Sequence, residues 1–226
     1  VLVFQSRRHI QITFLLFLLP LLVFSDHLYA GTQNENTQKP KLLILGDSLS
    51  AAYGLKQQEG WVSLLQNIWK DESVQIDVVN AAISGETTDG GLARLPRLLE
   101  QHQPSHLLIE LGGNDGLQGH PVSKMRTNLA RMVDLAKQAN INVLLQDMEI
   151  PTNYGRKYTS MFADSFEAVA EEHQITLIPF FLQNVATEEN MMQRDGIHPN
   201  KDAQPVIAAF MNEQLKPIIL RTNTAE

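Results

Sequence analysis

Six residues near the C-terminal end, DGIHPN at 195–200, set a carboxylate three positions before an imidazole and follow it with proline. At that spacing a tight turn can fold Asp195 back onto the His198 ring. An acid there holds the Nδ1 proton, fixes the tautomer and stabilises the imidazolium, which leaves Nε2 free to accept a proton. Pro199 stiffens the loop that must keep the ring still. Such a base needs a nucleophile, and with no cysteine in the chain a thiol is excluded. Ser48, in LGDSLS, directly follows a continuous apolar run, where its hydroxyl can project from the end of a strand. On that stretch alone, Asp47 or Ser48 reads more readily as a cap for a following helix.

The seven histidines narrow the choice of base. His9 and His27 lie in the first thirty residues, and His102, His106 and His173 sit at the ends of regular segments. His120, after NDGLQG, is the one rival at the rim of a site. Acyl transfer also needs donors for a developing oxyanion. Gly85 in SGETT can bring a backbone N–H close to a substrate, Asn114 in GGND can offer its amide, and the Ser48 N–H is a third donor. Taken singly, Gly85 is a turn residue and Asn114 an Asx turn. A metal reading of Asp195 and His198 lacks a third ligand, since no HExxH-like partner is present. The site is therefore expected to use neither metal nor cofactor.

The elements that must position these groups alternate. Apolar runs at 41–46, 75–82, 105–113, 141–148 and 175–180 read as buried strands. Segments with helical spacing fall at 61–70, 91–102, 125–139, 161–173 and 201–216, with Pro96 expected to kink or divide the second. The alternation predicts an α/β fold of three layers, a five-stranded parallel sheet between helices. Ligands of such sheets bind beyond the carboxyl ends of the strands, where strand order reverses. GDSLS, NAAISGETT and ELGGNDG would meet there if the order is 2-1-3-4-5.

The first thirty residues read differently. Arg7 and Arg8 precede an apolar run at 12–24, too short to span a bilayer, and SDHLYA ends in Ala30, as in a cleaved secretory signal. Residues 1–30 are thus expected to be a signal peptide, 31–40 a flexible polar segment and 41–220 the folded domain. The formal charge of −7 becomes −8 after that cleavage, because two arginines and one aspartate are removed. So acidic a chain is a poor nucleic-acid binder. The lack of cysteine excludes disulfides and a lipidated-cysteine anchor. A soluble periplasmic monomer with no stable membrane anchor is expected.

GDSLS, the glycine of ISGETT, GGND and DGIHP, in this order, resemble the four blocks of the SGNH (GDSL) hydrolase family. LLILGDSLSA, GLARLP, ELGGNDGL, NYGR and DGIHPNKDAQP more narrowly resemble its exported bacterial thioesterase and lysophospholipase members, and the likeness covers about 40–220. It implies a flavodoxin-type α/β/α fold and a metal-free mechanism. Ser48 is then the nucleophile, His198 the base and Asp195 its orienting acid, with Gly85, Asn114 and the Ser48 amide as oxyanion donors. The implied substrates are small-molecule acyl esters and thioesters, among them lysophospholipids, acyl-CoA and aryl esters. The segments 116–120 and 150–158 are expected to shape the acyl groove, with Leu117, Ile150 and Tyr154 offering apolar contact. Arg156 and Lys157 could meet an anionic head group, although paired basic residues in an exposed loop are more often solvated. Two alternatives are a polysaccharide O-deacetylase with a shallower pocket and a non-catalytic lipid or glycan binder.

Overall fold

Four consecutive aliphatic residues, Leu42 to Leu45, have no solvent exposure, and this run forms the strand around which the molecule is laid out. In a computed structural model, which describes residue 1 and residues 39–222 apart from 184 and 189, it is strand β1 (Lys41–Gly46). The others are β2 (Asp77–Asn80), β3 (His106–Glu110), β4 (Asn142–Gln146) and β5 (Thr176–Ile178). All pair in parallel, in the order β2-β1-β3-β4-β5. Covering helices bury both faces of the central strands, so those strands read as unbroken apolar runs. The expected strand order is thus present. The leader expected at 1–30, and most of the segment expected at 31–40, lie outside the described residues.

The helices are α1 (Trp61–Asp71), α2 (Thr88–His102), α3 (Gly113–Leu117), α4 (Val122–Gln138), α5 (Arg156–His173) and α6 (Gln204–Thr222). α2 runs through Pro96 as one helix, contrary to a division there. Proline removes one intrahelical hydrogen bond, and the burial of Thr88, Gly91 and Leu95 holds the helix together across that loss. α6 likewise continues through Pro217, carrying Leu215 and Ile219 into the core.

The third strand ends sooner than its apolar run suggests. After Glu110 the chain turns at Gly112, whose φ is +115°. A Cβ there would stand 2.9 Å from Phe166, so glycine is required twice over. GND then enters α3 instead of extending the strand. The C-terminal helix locks the N-terminal half: Gln204 accepts the Trp61 N–H at 2.9 Å, and Asn212 accepts the Trp69 indole N–H at 2.7 Å.

Candidate active site

β1 delivers the nucleophile candidate. Gly46 closes the strand, and a Cβ on it would fall 2.5 Å from Glu110 Oε2, so only glycine lets the turn pass. Asp47 is 2% exposed and accepts the Leu49 N–H through Oδ1 at 3.0 Å, which bends the chain and leaves the half-buried Ser48 facing the rim. His198 Nε2 lies 2.9 Å from Ser48 Oγ, although the two residues are 150 positions apart. On the other side of the ring, Nδ1 donates to Asp195 Oδ2 at 2.8 Å.

The DGIH turn is built by the same acid. Asp195 Oδ1 accepts the N–H groups of Ile197 and His198, each at 3.0 Å. Burial pushes its carboxyl up, but those two N–H groups and the His198 ring together bring it down to about 2. Asp195 therefore stays charged through the neutral range. With the proton on Nδ1, Nε2 accepts the Ser48 hydroxyl, which is the arrangement needed to activate it. His120, the rival base, stands instead beside buried Asp115, 4.0 Å from its carboxylate.

Two backbone donors and one amide complete the rim. Gly85 has φ +82° with nothing within 4 Å of the place a Cβ would occupy, so backbone conformation, not space, calls for glycine. Among the described residues, the N–H groups of Ser48 and Gly85 have no protein partner. Asn114, the second residue of α3, donates its Nδ2 hydrogens to Asp47 Oδ2 at 3.1 Å and to the Glu86 carbonyl at 3.0 Å. The amide is thus tied at once to the nucleophile's turn and to the neighbour of Gly85. Arg94 reinforces that loop from α2, donating to the Glu86 carboxylate and to the Ala81 carbonyl at 2.7 Å.

Beneath the turn lies a second acid. Glu110, the last residue of β3, has no exposure. Its Oε2 accepts the Ser50 hydroxyl at 2.6 Å and the Asp47 N–H at 3.2 Å, while Oε1 has no partner among the described residues. Burial, then the Asp47 charge, raises the Glu110 carboxyl well above its ordinary range. Burial likewise raises Asp47 to about 6. Two carboxyls this close cannot both ionise cheaply, so each raises the cost of charging the other.

A cavity of about 700 Å³ opens beside Ser48, within the size range of small-molecule sites. Leu117 and Ile150 line it, as do Leu49, Met148, Phe180 and Leu182. Tyr154 does not. Its hydroxyl donates to the Leu117 carbonyl at 2.8 Å and its ring lies against Tyr158, so the residue props the cavity wall from outside. Together with Arg156 and Lys157 it borders a separate shallow depression.

Several contributors escaped the sequence reading. Glu110 carried one signal, an acid ending an otherwise apolar strand. The far wall is Phe180, which ends the last apolar run, and Leu182, Met192 and Ile197, which come from the stretch without periodicity beyond it; the Arg94–Glu86 pair is too local to the fold to be read from spacing.

The GDSL-like Lipase/Acylhydrolase family model matches residues 44–204. An arylesterase of Vibrio mimicus is 46% identical over 175 residues, covering 77% of this chain and 88% of the relative. Thioesterase 1/protease 1/lysophospholipase L1 of Escherichia coli K12 is 47% identical over 178 residues, 79% of this chain and 84% of the relative. Among solved structures, the psychrotrophic esterase EstA from Pseudoalteromonas sp., inhibited by monoethylphosphonate, superposes with a TM-score of 0.78 at 49% identity, over 79% of this chain and 97% of the other.

Proposed function

The chain belongs to the GDSL-like lipase/acylhydrolase family, and on that footing we propose that it hydrolyses medium- to long-chain acyl esters and thioesters through an acyl-Ser48 intermediate. The observation that carries this reading is the aligned contact from Asp195 through His198 to Ser48 Oγ. Ser48 attacks the acyl carbonyl while Nε2 of His198 takes its proton. The N–H groups of Ser48 and Gly85 stabilise the oxyanion, joined by the Asn114 amide as it exchanges one of its two resting bonds, to Asp47 or to the Glu86 carbonyl, for the developing charge. His198 passes its proton to the departing alcohol or thiol, leaving an ester on Ser48. Water, deprotonated by the same ring, attacks this acyl-enzyme and frees the acid.

The apolar cavity beside Ser48 supports an acyl chain over acetate, which leaves a polysaccharide deacetylase as the weaker reading. Lysophospholipid is the favoured natural class, in keeping with the name of the Escherichia coli relative and with export to the periplasm. Export itself is supported by Arg7, Arg8, the apolar run at 12–24 and the small residue Ala30, features of a cleaved signal. The test is a p-nitrophenyl ester series from C2 to C16, with wild type and Ser48→Ala. Wild-type kcat/KM should rise with chain length, and Ser48→Ala should lose roughly three to six orders of magnitude in kcat. A preference for acetate would replace the lipid reading, and an active Ser48→Ala would remove the nucleophile.

A further inference from the structure

Tyr53 is an aromatic residue on the exposed side of the nucleophile turn, with 49% of its surface open to solvent. Its ring nonetheless lies over the His198 imidazole, centroids 4.3 Å apart and planes tilted by 35°. Its backbone is tied in from both sides: its N–H donates to the Ser48 carbonyl at 3.3 Å, and its carbonyl accepts Gln193 Nε2 at 2.8 Å. Gln193 lies 140 residues away in sequence and begins the loop that carries the base. The same Nε2 donates to the Pro199 carbonyl at 3.1 Å, and the Gln193 N–H donates to the His198 carbonyl at 2.8 Å. Gly54 leaves room for this side chain, since a Cβ there would fall 2.5 Å from Gln193 Oε1. One amide therefore joins the turn holding the hydroxyl to the loop holding the imidazole.

We propose that Gln193 and Tyr53 form a clamp that registers His198 against Ser48, with the Tyr53 ring as the face against which the imidazolium develops during catalysis. Proton transfer requires the ring within hydrogen-bond reach of Oγ, and a displacement of about 1 Å in such a site can cost about 100-fold in rate. An aromatic face favours a cation held over it. Besides Tyr53, the groups facing the imidazole are Asp195 on its own loop, Ser48, and the Asp47 carboxyl beneath the nucleophile turn. Both are positioning residues, and the inference rests on His198 acting as the base for Ser48.

The test compares Tyr53→Phe, Tyr53→Leu, Gln193→Ala and Gln193→Glu with wild type. It reads kcat and KM on p-nitrophenyl butyrate, the rate of Ser48 labelling by an alkyl fluorophosphonate, the acid limb of kcat/KM, and melting temperature. Tyr53→Phe keeps the face and should stay within about twofold of wild type. Tyr53→Leu should lose about two- to fivefold in both kcat and labelling rate, with KM unchanged. Its acid limb should move to lower pH, because the protonated ring loses the aromatic face it lies against. Both Gln193 variants should lose about 10- to 100-fold in kcat and in labelling, since neither alanine nor a carboxylate can donate to the two carbonyls. The clamp is refuted if Tyr53→Leu matches wild type in kcat and acid limb, if Tyr53→Phe is as impaired as Tyr53→Leu, or if the Gln193 losses simply follow melting temperature. A fully active Ser48→Ala would instead overturn the nucleophile assignment, a failure visible independently of these four variants.

Discussion

Asn114→Ala tests two consequences of one side chain. Catalytically it deletes one of the three proposed oxyanion donors, so kcat should fall about 10²- to 10³-fold with little change in KM. Structurally it removes the donor 3.1 Å from Asp47 Oδ2, leaving one oxygen of a nearly fully buried carboxyl without that partner. A buried acceptor stripped of its donor costs about 1–3 kcal/mol, or a melting temperature lower by about 3–10 °C in a unit of this size. The loss should also depend on pH. Burial already raises Asp47 from 3.8 to about 6, and the Asn114 bond is among the contacts that restrain the rise. An acid whose folded pKa lies above its unfolded value stabilises the fold less as pH rises between the two. Deleting Asn114 moves the folded value further up, so the variant's deficit should be smallest below about pH 6 and widen above it. Steady-state kinetics on a short p-nitrophenyl ester, with urea melts at pH 5 and pH 8, reads both effects. A kcat within about threefold of wild type would refute the donor role, and equal deficits at the two pH values would refute the coupling to Asp47.

Other perturbations reach different parts of the site. Gly46→Ala should lower stability by about 1–3 kcal/mol and reduce kcat, because its Cβ meets Glu110 Oε2 and Ser50; chemical denaturation and esterase assay check both. Glu110→Gln should gain stability relative to wild type as pH rises from 4 to 8. The wild-type carboxyl, raised by burial, penalises the fold progressively above its unfolded range, whereas glutamine does not titrate; paired urea melts across that interval read the sign. Ile150→Trp should shorten the preferred acyl chain, each excluded methylene costing up to about 0.8 kcal/mol, or about fourfold in kcat/KM, as read from C4 against C12 esters.

What could be read from the sequence was what local chemistry enforces. Asp195 and His198 are three residues apart, so a single turn decides whether they meet, and that turn is written in DGIHP. The strands at 41–46 and 105–113 were visible because burial on both faces leaves an unbroken apolar run. The end of the latter was not, because Leu111 continues the run while Gly112 turns the backbone at positive φ. Tyr154 was read as apolar contact, but a phenol also seeks an acceptor, and the Leu117 carbonyl supplied one outside the cavity. The clamp from Gln193 to Tyr53 spans 140 residues, and neither residue belongs to a periodic segment, so only the folded chain could bring them together.

Ser48 is reached by synthesis early and His198 late, with α6 following to fasten the base's loop, through Gln204, to the start of α1. A nascent polypeptide can therefore display its hydroxyl strand long before His198 exists to meet it. The proposed triad is complete only once the segment carrying Asp195 and His198 has joined the strand that carries Ser48.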